Sequence, residues 1–406
     1  MARLGRQSRP FRSAAPPVVT LLIAGSLLLG ACSGSDTAVL EAPPTPVLAT
    51  APATALPVAT PQPTTAATPT GTIAPTTTLA APVGGVFPGA EWSTADLPAV
   101  VDQAALDAAV DVAFGAPDAA ARVRSIVVVE GGEIVYERYH PLDDVGEIMN
   151  SFSVAKSFTS AVIGLLVGDG RLDVNERAPI EAWADPSDPR HEITLEHLLH
   201  MASGLQWAEE YSATSQALAM LRSENASAYV ASFPLEAEPG TMFDYSTGTT
   251  AILAGIAIDT LGGVDEFDAY VHERLLDPIG ITSTTFVADG SGRWFGGLGA
   301  DSTTRDFARF GLLFLNDGVW DGKRILPEGW VEYSHAPSPS NEGYGAQWWR
   351  AGGNAFEALG LFGQIIHVNP DHGLVIAINT TSGGDSGTLL AATLAVLGAD
   401  EPAEVL

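Results

Sequence analysis

Asn150-Ser151-Phe152-Ser153-Val154-Ala155-Lys156-Ser157-Phe158 is the stretch on which the reading of this chain turns. It leads into a run, Ser153 to Leu166, in which Val154, Phe158, Ala161, Val162 and Leu165 recur at helical spacing and which closes at Gly168-Asp169-Gly170. That pattern predicts a buried helix. The whole chain holds only two lysines, Lys156 and Lys323. Lys156 stands three residues after Ser153, a spacing that puts hydroxyl and ammonium on one helix face. A serine hydroxyl becomes a good nucleophile only when a neighbour removes its proton. A lysine amine can do so if its surroundings depress its pKa from about 10.4, and the positive end of a helix stabilises an oxyanion formed there. Taken alone, Ser-x-x-Lys is equally compatible with an N-cap serine and a solvated lysine.

Outward from this helix, strands lie at both ends of the region and helices lie between. Leu97 to Phe114 has helical spacing at Val100, Val101, Leu106, Val110 and Val112. Ser125 to Glu130 and Glu133 to Tyr139 flank Gly131-Gly132, a strong hairpin signal. Gln364 to Val368 and Leu374 to Asn379 flank Asn369-Pro370-Asp371-His372-Gly373, a second hairpin, and a last helix is predicted over Gly387 to Leu397. The middle reads as helices over Thr194 to Met201, Ser215 to Ser232, Gly248 to Leu261, Val264 to Leu276 and Thr303 to Leu315. The expected class is α+β: an antiparallel sheet flanked by the N- and C-terminal helices, plus a mostly helical lobe over roughly 167–345. The cleft between them is the expected site.

Composition limits the chemistry. The chain has 406 residues, 46% hydrophobic and 17% charged, enough for a sizeable core. Its 19 Lys plus Arg against 48 Asp plus Glu give a formal charge of −29. Such a surface repels phosphate backbones and anionic headgroups, which excludes nucleic-acid binding and electrostatic membrane docking as first readings. One cysteine, Cys32, rules out an internal disulfide or a cysteine-rich metal site.

Arg3, Arg6, Arg9 and Arg12 lead into the apolar run Val18 to Leu29, a charged head and apolar middle of the secretory kind. The run is short for a membrane span. Its end, Leu29-Gly30-Ala31-Cys32, resembles the bacterial lipobox, which implies that residues 1–31 are a leader and that acylated Cys32 anchors the chain to a lipid bilayer outside the cytoplasm. From Ala42 to Pro82 there are 11 Ala, 10 Pro and 12 Thr and no charge. That composition cannot bury enough apolar surface to fold, so residues 32–86 read as an extended tether and 87–406 as the folded domain.

The nucleophile stretch resembles that of the class C β-lactamase-like serine hydrolases, a group that includes penicillin-binding carboxypeptidases, esterases and 6-aminohexanoate-dimer hydrolases. Other stretches agree in order. Leu198-Leu199-His200-Met201-Ala202-Ser203-Gly204-Leu205 is similar to the family's Leu-Leu-x-x-x-Ser-Gly-Leu, Leu276 to Ile281 also fits, and Gly297 to Leu313 resembles its later Asp-Phe-Ala-Arg-Phe-Gly helix. The resemblance implies an acyl-enzyme on Ser153, with Lys156 as general base or proton shuttle. Tyr245, in a Tyr-x-Asn-like motif with Thr247 in the third place, is implied as general acid and base. Ala358-Leu359-Gly360-Leu361 and Gln364 resemble the third motif of the 6-aminohexanoate-dimer hydrolase branch, so that the amides of Ser153 and Leu361 would form the oxyanion hole. Tyr211, Thr247, Gly360, Gln364 and Trp348 are the implied substrate-binding candidates. Ala358 stands where a lysine or histidine would meet a substrate carboxylate.

The expected substrate is therefore a small-molecule or peptide-like ester or amide with neutral or cationic flanks, hydrolysed without cofactor or metal. The alternatives are a D-alanyl-D-alanine carboxypeptidase or weak β-lactamase, and, in another class, a non-catalytic lipoprotein that binds cell wall. Gly384-Asp385-Ser386-Gly387 looks like a protease nucleophile loop but reads as a turn before the last helix. His197 and His200 lack the His-Glu-x-x-His pattern, since position 195 is Leu, and read as structural.

Overall fold

Both predicted hairpins form, and they meet in one sheet. The computed structural model describes residues 86–399; the leader, Cys32 and the tether up to residue 85 lie outside the described residues. In chain order the elements are α1 (Gln103–Phe114), β1 (Val123–Glu130), β2 (Glu133–Tyr139), α2 (Ala155–Gly168), α3 (Leu195–Leu199), α4 (Gln216–Leu221), α5 (Ala226–Ala231), α6 (Thr247–Leu261) and α7 (Val264–Val271). They continue with β3 (Thr285–Phe286), β4 (Ala300–Asp301), α8 (Thr304–Leu315), β5 (Val319–Trp320), β6 (Lys323–Arg324), α9 (Trp330–His335), β7 (Trp349–Arg350), β8 (Phe356–Gly360), β9 (Gln364–Asn369), β10 (Leu374–Thr380) and α10 (Ser386–Leu397).

The main sheet runs β2-β1-β10-β9-β8-β7, every neighbouring pair antiparallel. Chain ends thus pair in its middle, β1 against β10 with Val127 opposite Ala377. The central strands read as continuous apolar runs because both faces are covered. Ile126, Val128, Ile376 and Ile378 face Leu106, Val110 and Phe114 of α1 and Leu389 and Leu390 of α10. Val127, Val129, Ile366, Val368, Val375 and Ala377 belong to the other core, with Phe307, Phe310 and Phe314 of α8. The α+β architecture is that expected from the sequence.

Helix α2 is the hub. Every residue from Ala155 to Leu166 is buried. Phe158 stacks on Phe310 of α8 with centroids 3.8 Å apart and planes at 8°, which locks α2 to the element lying on the sheet. Truncating such a fully enclosed ring costs about 3–5 kcal/mol.

Three expected boundaries shift. The first helix starts at Gln103, not Leu97, because the Asp102 side chain accepts from the Ala105 N–H and caps it; Val100 and Val112 are 94% and 81% exposed rather than in the core. Ser215 to Ser232 is not one helix but α4 and α5, since Asn225 caps a new start by accepting from the Ala228 N–H. Val264 to Leu276 keeps its helical turns but loosens to a π turn from His272. At the other end, Asp385 accepts from the Thr388 N–H at 3.0 Å and caps α10, so the Gly-Asp-Ser-Gly segment is the turn it was read to be. His197 closes a capping box with Thr194 at the start of α3, and the His200 ring lies edge-on to Tyr333 at 5.3 Å, so both histidines are structural.

Candidate active site

Ser153 sits in a single 3-10 turn, Phe152–Val154, which runs directly into α2. The turn is entered under constraint: Phe152 has φ 45°, a conformation rarely tolerated by a bulky side chain. Buried Asp301 at the end of β4 holds it. Its carboxylate accepts from the Ser151 N–H at 2.8 Å, the Ser151 hydroxyl at 3.2 Å and the Asn150 side chain at 3.0 Å. Burial pushes the Asp301 carboxyl up, against those same bonds, which favour the charged form.

Lys156 is 1% exposed, and a buried amine persists only with hydrogen-bond partners. It has three. Nζ donates to Ser153 Oγ at 3.0 Å, to Thr247 Oγ1 at 2.9 Å and to the Gly297 carbonyl at 3.0 Å. The last contact requires a glycine, because a Cβ at 297 would lie 2.7 Å from the Thr247 carbonyl oxygen. Tyr245 offers its ring face: Nζ is 4.8 Å from the centroid. The same ring packs on Trp349 at 5.3 Å and edge-on to Tyr344 at 5.9 Å. Tyr245 and Thr247 are placed together because Ser246 caps α6, accepting from the Thr249 N–H at 2.8 Å.

The resemblance implied Lys156 and Tyr245 together as the groups that move the Ser153 proton. The geometry makes Lys156 the direct neighbour of the hydroxyl, and among the described residues no hydrogen bond joins Tyr245 to Ser153. Gly360, at the end of β8, lies against the turn that carries Ser153: a Cβ there would be 2.5 Å from the Ser151 carbonyl oxygen. The end of β8 thus packs on the turn that carries Ser153. The turn Gly360 to Gly363 is closed by the Gly363 N–H donating to the Gly360 carbonyl at 3.0 Å, and Phe362 meets Phe152 edge-on at 5.3 Å.

Two implied binding residues prove to be structural. Gln364 is 2% exposed; its amide donates to the Thr380 carbonyl at 3.0 Å and accepts from the Thr380 N–H at 3.1 Å, which fastens β9 to the end of β10. Trp348 is fully buried between Phe310, Phe314 and Phe356 and belongs to the core; its neighbour Trp349 is the tryptophan that packs on Tyr245. Thr247 is likewise fully enclosed and faces Lys156 rather than solvent. Tyr211 is half-buried and reaches Thr247 Oγ1 at 3.3 Å.

Sequence reasoning missed Glu209. Its carboxylate accepts from Trp207 Nε1 at 2.7 Å, Tyr211 OH at 2.7 Å, the Thr247 N–H at 2.8 Å and the Thr247 hydroxyl. Burial alone would push this carboxyl up; the Lys156 charge and the bonds from Thr247 and Tyr211 outweigh it and hold the group below its usual range. The available signal was the two-residue spacing Trp207, Glu209, Tyr211, which puts three side chains on one side of an extended stretch.

The family model described as Beta-lactamase matches residues 110–400. The chain belongs to the β-lactamase family. The 6-aminohexanoate-dimer hydrolase of Paenarthrobacter ureafaciens is similar to it at 28% identity over 282 residues, covering 61% of this chain and 69% of that protein. Among solved structures, a candidate 6-aminohexanoate-dimer hydrolase from Bacillus anthracis is 25% identical with a TM-score of 0.61, covering 78% of this chain and 87% of its own. The octameric penicillin-binding protein homologue of Pyrococcus abyssi, at 18% identity and TM-score 0.59, covers 75% and 79% and shows the same fold. A β-lactamase-family protein with this fold is a hydrolase, and the Ser153–Lys156 pair lies where its helical and sheet portions meet.

Proposed function

We propose that this β-lactamase-family protein is a serine hydrolase that cleaves an ester or amide through an acyl-enzyme on Ser153. The observation that carries the reading is the 3.0 Å contact between Lys156 Nζ and Ser153 Oγ at the start of a buried helix. In its neutral form, with Ser153 Oγ donating to Nζ, Lys156 takes the hydroxyl proton as Oγ adds to the carbonyl carbon. The resulting oxyanion is met by the amides of Ser153 and Leu361 and by the N-terminal end of α2. Collapse breaks the bond to the leaving group, which receives the proton by way of Lys156 and Tyr245. Water then adds to the acyl carbon and frees Ser153, with the same groups moving its proton in reverse.

The rim favours neutral, apolar flanks. Leu361 and Phe362 are 46% and 42% exposed, whereas Ala358 is 2% exposed, packs in the core and offers no cation to a carboxylate. The relatives named for a 6-aminohexanoate dimer, a linear amide, support the amide reading; the acidic surface and Ala358 speak against carboxylate-ended peptides and penicillins. The proposal includes anchoring through acylated Cys32 outside the cytoplasm, which rests on the leader and lipobox alone.

Fluorophosphonate labelling of the full-length chain, with the adduct located by mass spectrometry, tests the reading. An adduct on Ser153, lost in Ser153→Ala, is expected; a folded chain that takes up none supports a binding lipoprotein instead.

A further inference from the structure

The hydrolase reading leaves one partly buried carboxylate unused, and it lies two hydrogen bonds from the nucleophile. Lys156 Nζ donates to both Ser153 Oγ and Thr247 Oγ1, at 3.0 and 2.9 Å. Thr247 in turn donates its hydroxyl to Glu209. Four side chains therefore form one chain, Ser153, Lys156, Thr247 and Glu209, running from the cleft into the protein. A hydroxyl has a single proton, so a Thr247 that gives it to the carboxylate can only accept from Lys156. That fixes the direction of the Lys156–Thr247–Glu209 part of the chain, and in the reactive state Lys156 is a neutral amine to which Ser153 Oγ donates.

We propose that Glu209 is a positioning residue of the reaction: its carboxylate, acting through Thr247, stabilises the positive charge that Lys156 acquires on taking the proton of Ser153. The proposal rests on the serine-hydrolase reading. It follows the logic by which a nucleophile's base is itself oriented and charge-balanced by a third group. The balance is simple, since one proton passes from Ser153 Oγ to Lys156 Nζ and returns to the leaving group, while Glu209 stays ionised throughout. Its four donors, Trp207, Tyr211 and both Thr247 groups, make it a poor base and a fixed counter-charge. Among the described residues, Lys156 is the one cation whose charge holds the Glu209 carboxyl down. Lys156 comes from α2, Tyr245 and Asp244 from the approach to α6, Tyr211 from its own segment and Tyr344 from the approach to β7, and burial and the Glu209 charge together push the tyrosines 211 and 344 up.

The test is the pH dependence of the fluorophosphonate labelling rate of the full-length chain, between about pH 5 and 10, in wild type, Glu209→Gln and Glu209→Asp. Removing the charge disfavours the ammonium form, so the limb set by the Ser153–Lys156 pair moves to lower pH by about one unit, and the labelling rate on the plateau falls about tenfold or more. Glu209→Asp, which keeps the charge, returns the limb toward the wild-type position. Asp244, pushed up to about 6 by burial and by Glu236 and Glu209, is removed as a source of the shift by repeating the series in Asp244→Asn.

A Glu209→Gln profile superimposable on wild type, or lowered uniformly with the limb unmoved, overturns the proposal and leaves Glu209 a packing residue. If that variant does not fold, Thr247→Val cuts the same chain, and the same two results decide. Wild type that never labels at Ser153 sinks the hydrolase reading itself, so the two failures are distinguishable.

Discussion

Gly360→Ala is a substitution of one methyl group that should disable the site while leaving the fold in place. Gly360 is not among the glycines with positive φ, so the new residue meets no backbone strain and its effect is steric. The methyl carbon would lie 2.5 Å from the Ser151 carbonyl oxygen and 2.9 Å from the Gln364 Cβ. Ordinary non-bonded contacts lie at about 3.5–4.0 Å, so the two backbones must part by about 1 Å. Gln364 is pinned by both of its bonds to Thr380, and Ser151 by Asp301. The strain therefore separates Leu361 from the nucleophile turn. A misplacement of about 1 Å costs on the order of 10²-fold in rate, and loss of an oxyanion donor costs a comparable amount; 10²-fold corresponds to about 2.7 kcal/mol of barrier. Overpacking of this size destabilises by about 1–3 kcal/mol. The assay is the second-order rate of fluorophosphonate labelling at Ser153, read beside the thermal midpoint. Wild-type labelling with an unchanged midpoint would refute the argument that β8 and the nucleophile turn share the oxyanion site at contact distance.

Further outcomes are expected. Ser153→Ala abolishes hydrolysis of a nitrophenyl ester and Lys156→Ala lowers it by at least about 10³-fold, with far-UV circular dichroism near wild type in both. Tyr245→Phe keeps the ring against Lys156 and Trp349 and loses only the hydroxyl, so steady-state kinetics should show a fall in kcat with KM little changed if the phenol moves protons. Asp244 is held above its unfolded value, so between about pH 4 and 6 the folded chain binds the extra proton and stability declines as pH rises through that window. Asp244→Asn should then raise the melting temperature at pH 7.5 and not at pH 4, and equal shifts at both would refute that account. Cys32→Ala should move the chain from the membrane pellet to the soluble fraction of an expressing bacterium; retention in the pellet would count against acylation.

What the sequence disclosed depended on how local each signal is. Both hairpins and α2 were legible because β-branched runs and helical spacing act over a few residues. The pairing of β1 with β10 was expected only as a sheet built from distant segments, and its register emerges from contacts across some 250 residues. Gln364 and Trp348 were misread for a physical reason: a motif gives their place beside the site but not which face of the strand they occupy. Both point inward. Glu209 stayed hidden because an acidic residue in an acidic chain is unremarkable until the fold sets it beside one of two lysines.

The burial of α2 from Ala155 to Leu166 bears on when the protein can be inactivated. A helix enclosed on every side cannot open without parting α6, α8 and the sheet, so its amides should exchange with solvent only through global unfolding, at a free energy matching that of the whole domain. Ser153 stands at the tip of that helix. The fraction of chains able to take up a fluorophosphonate on heating should then follow the cooperative melt, with no earlier loss of reactivity by local fraying. Under the proposed hydrolase reading, Ser153 thus doubles as a native-state reporter, countable chain by chain.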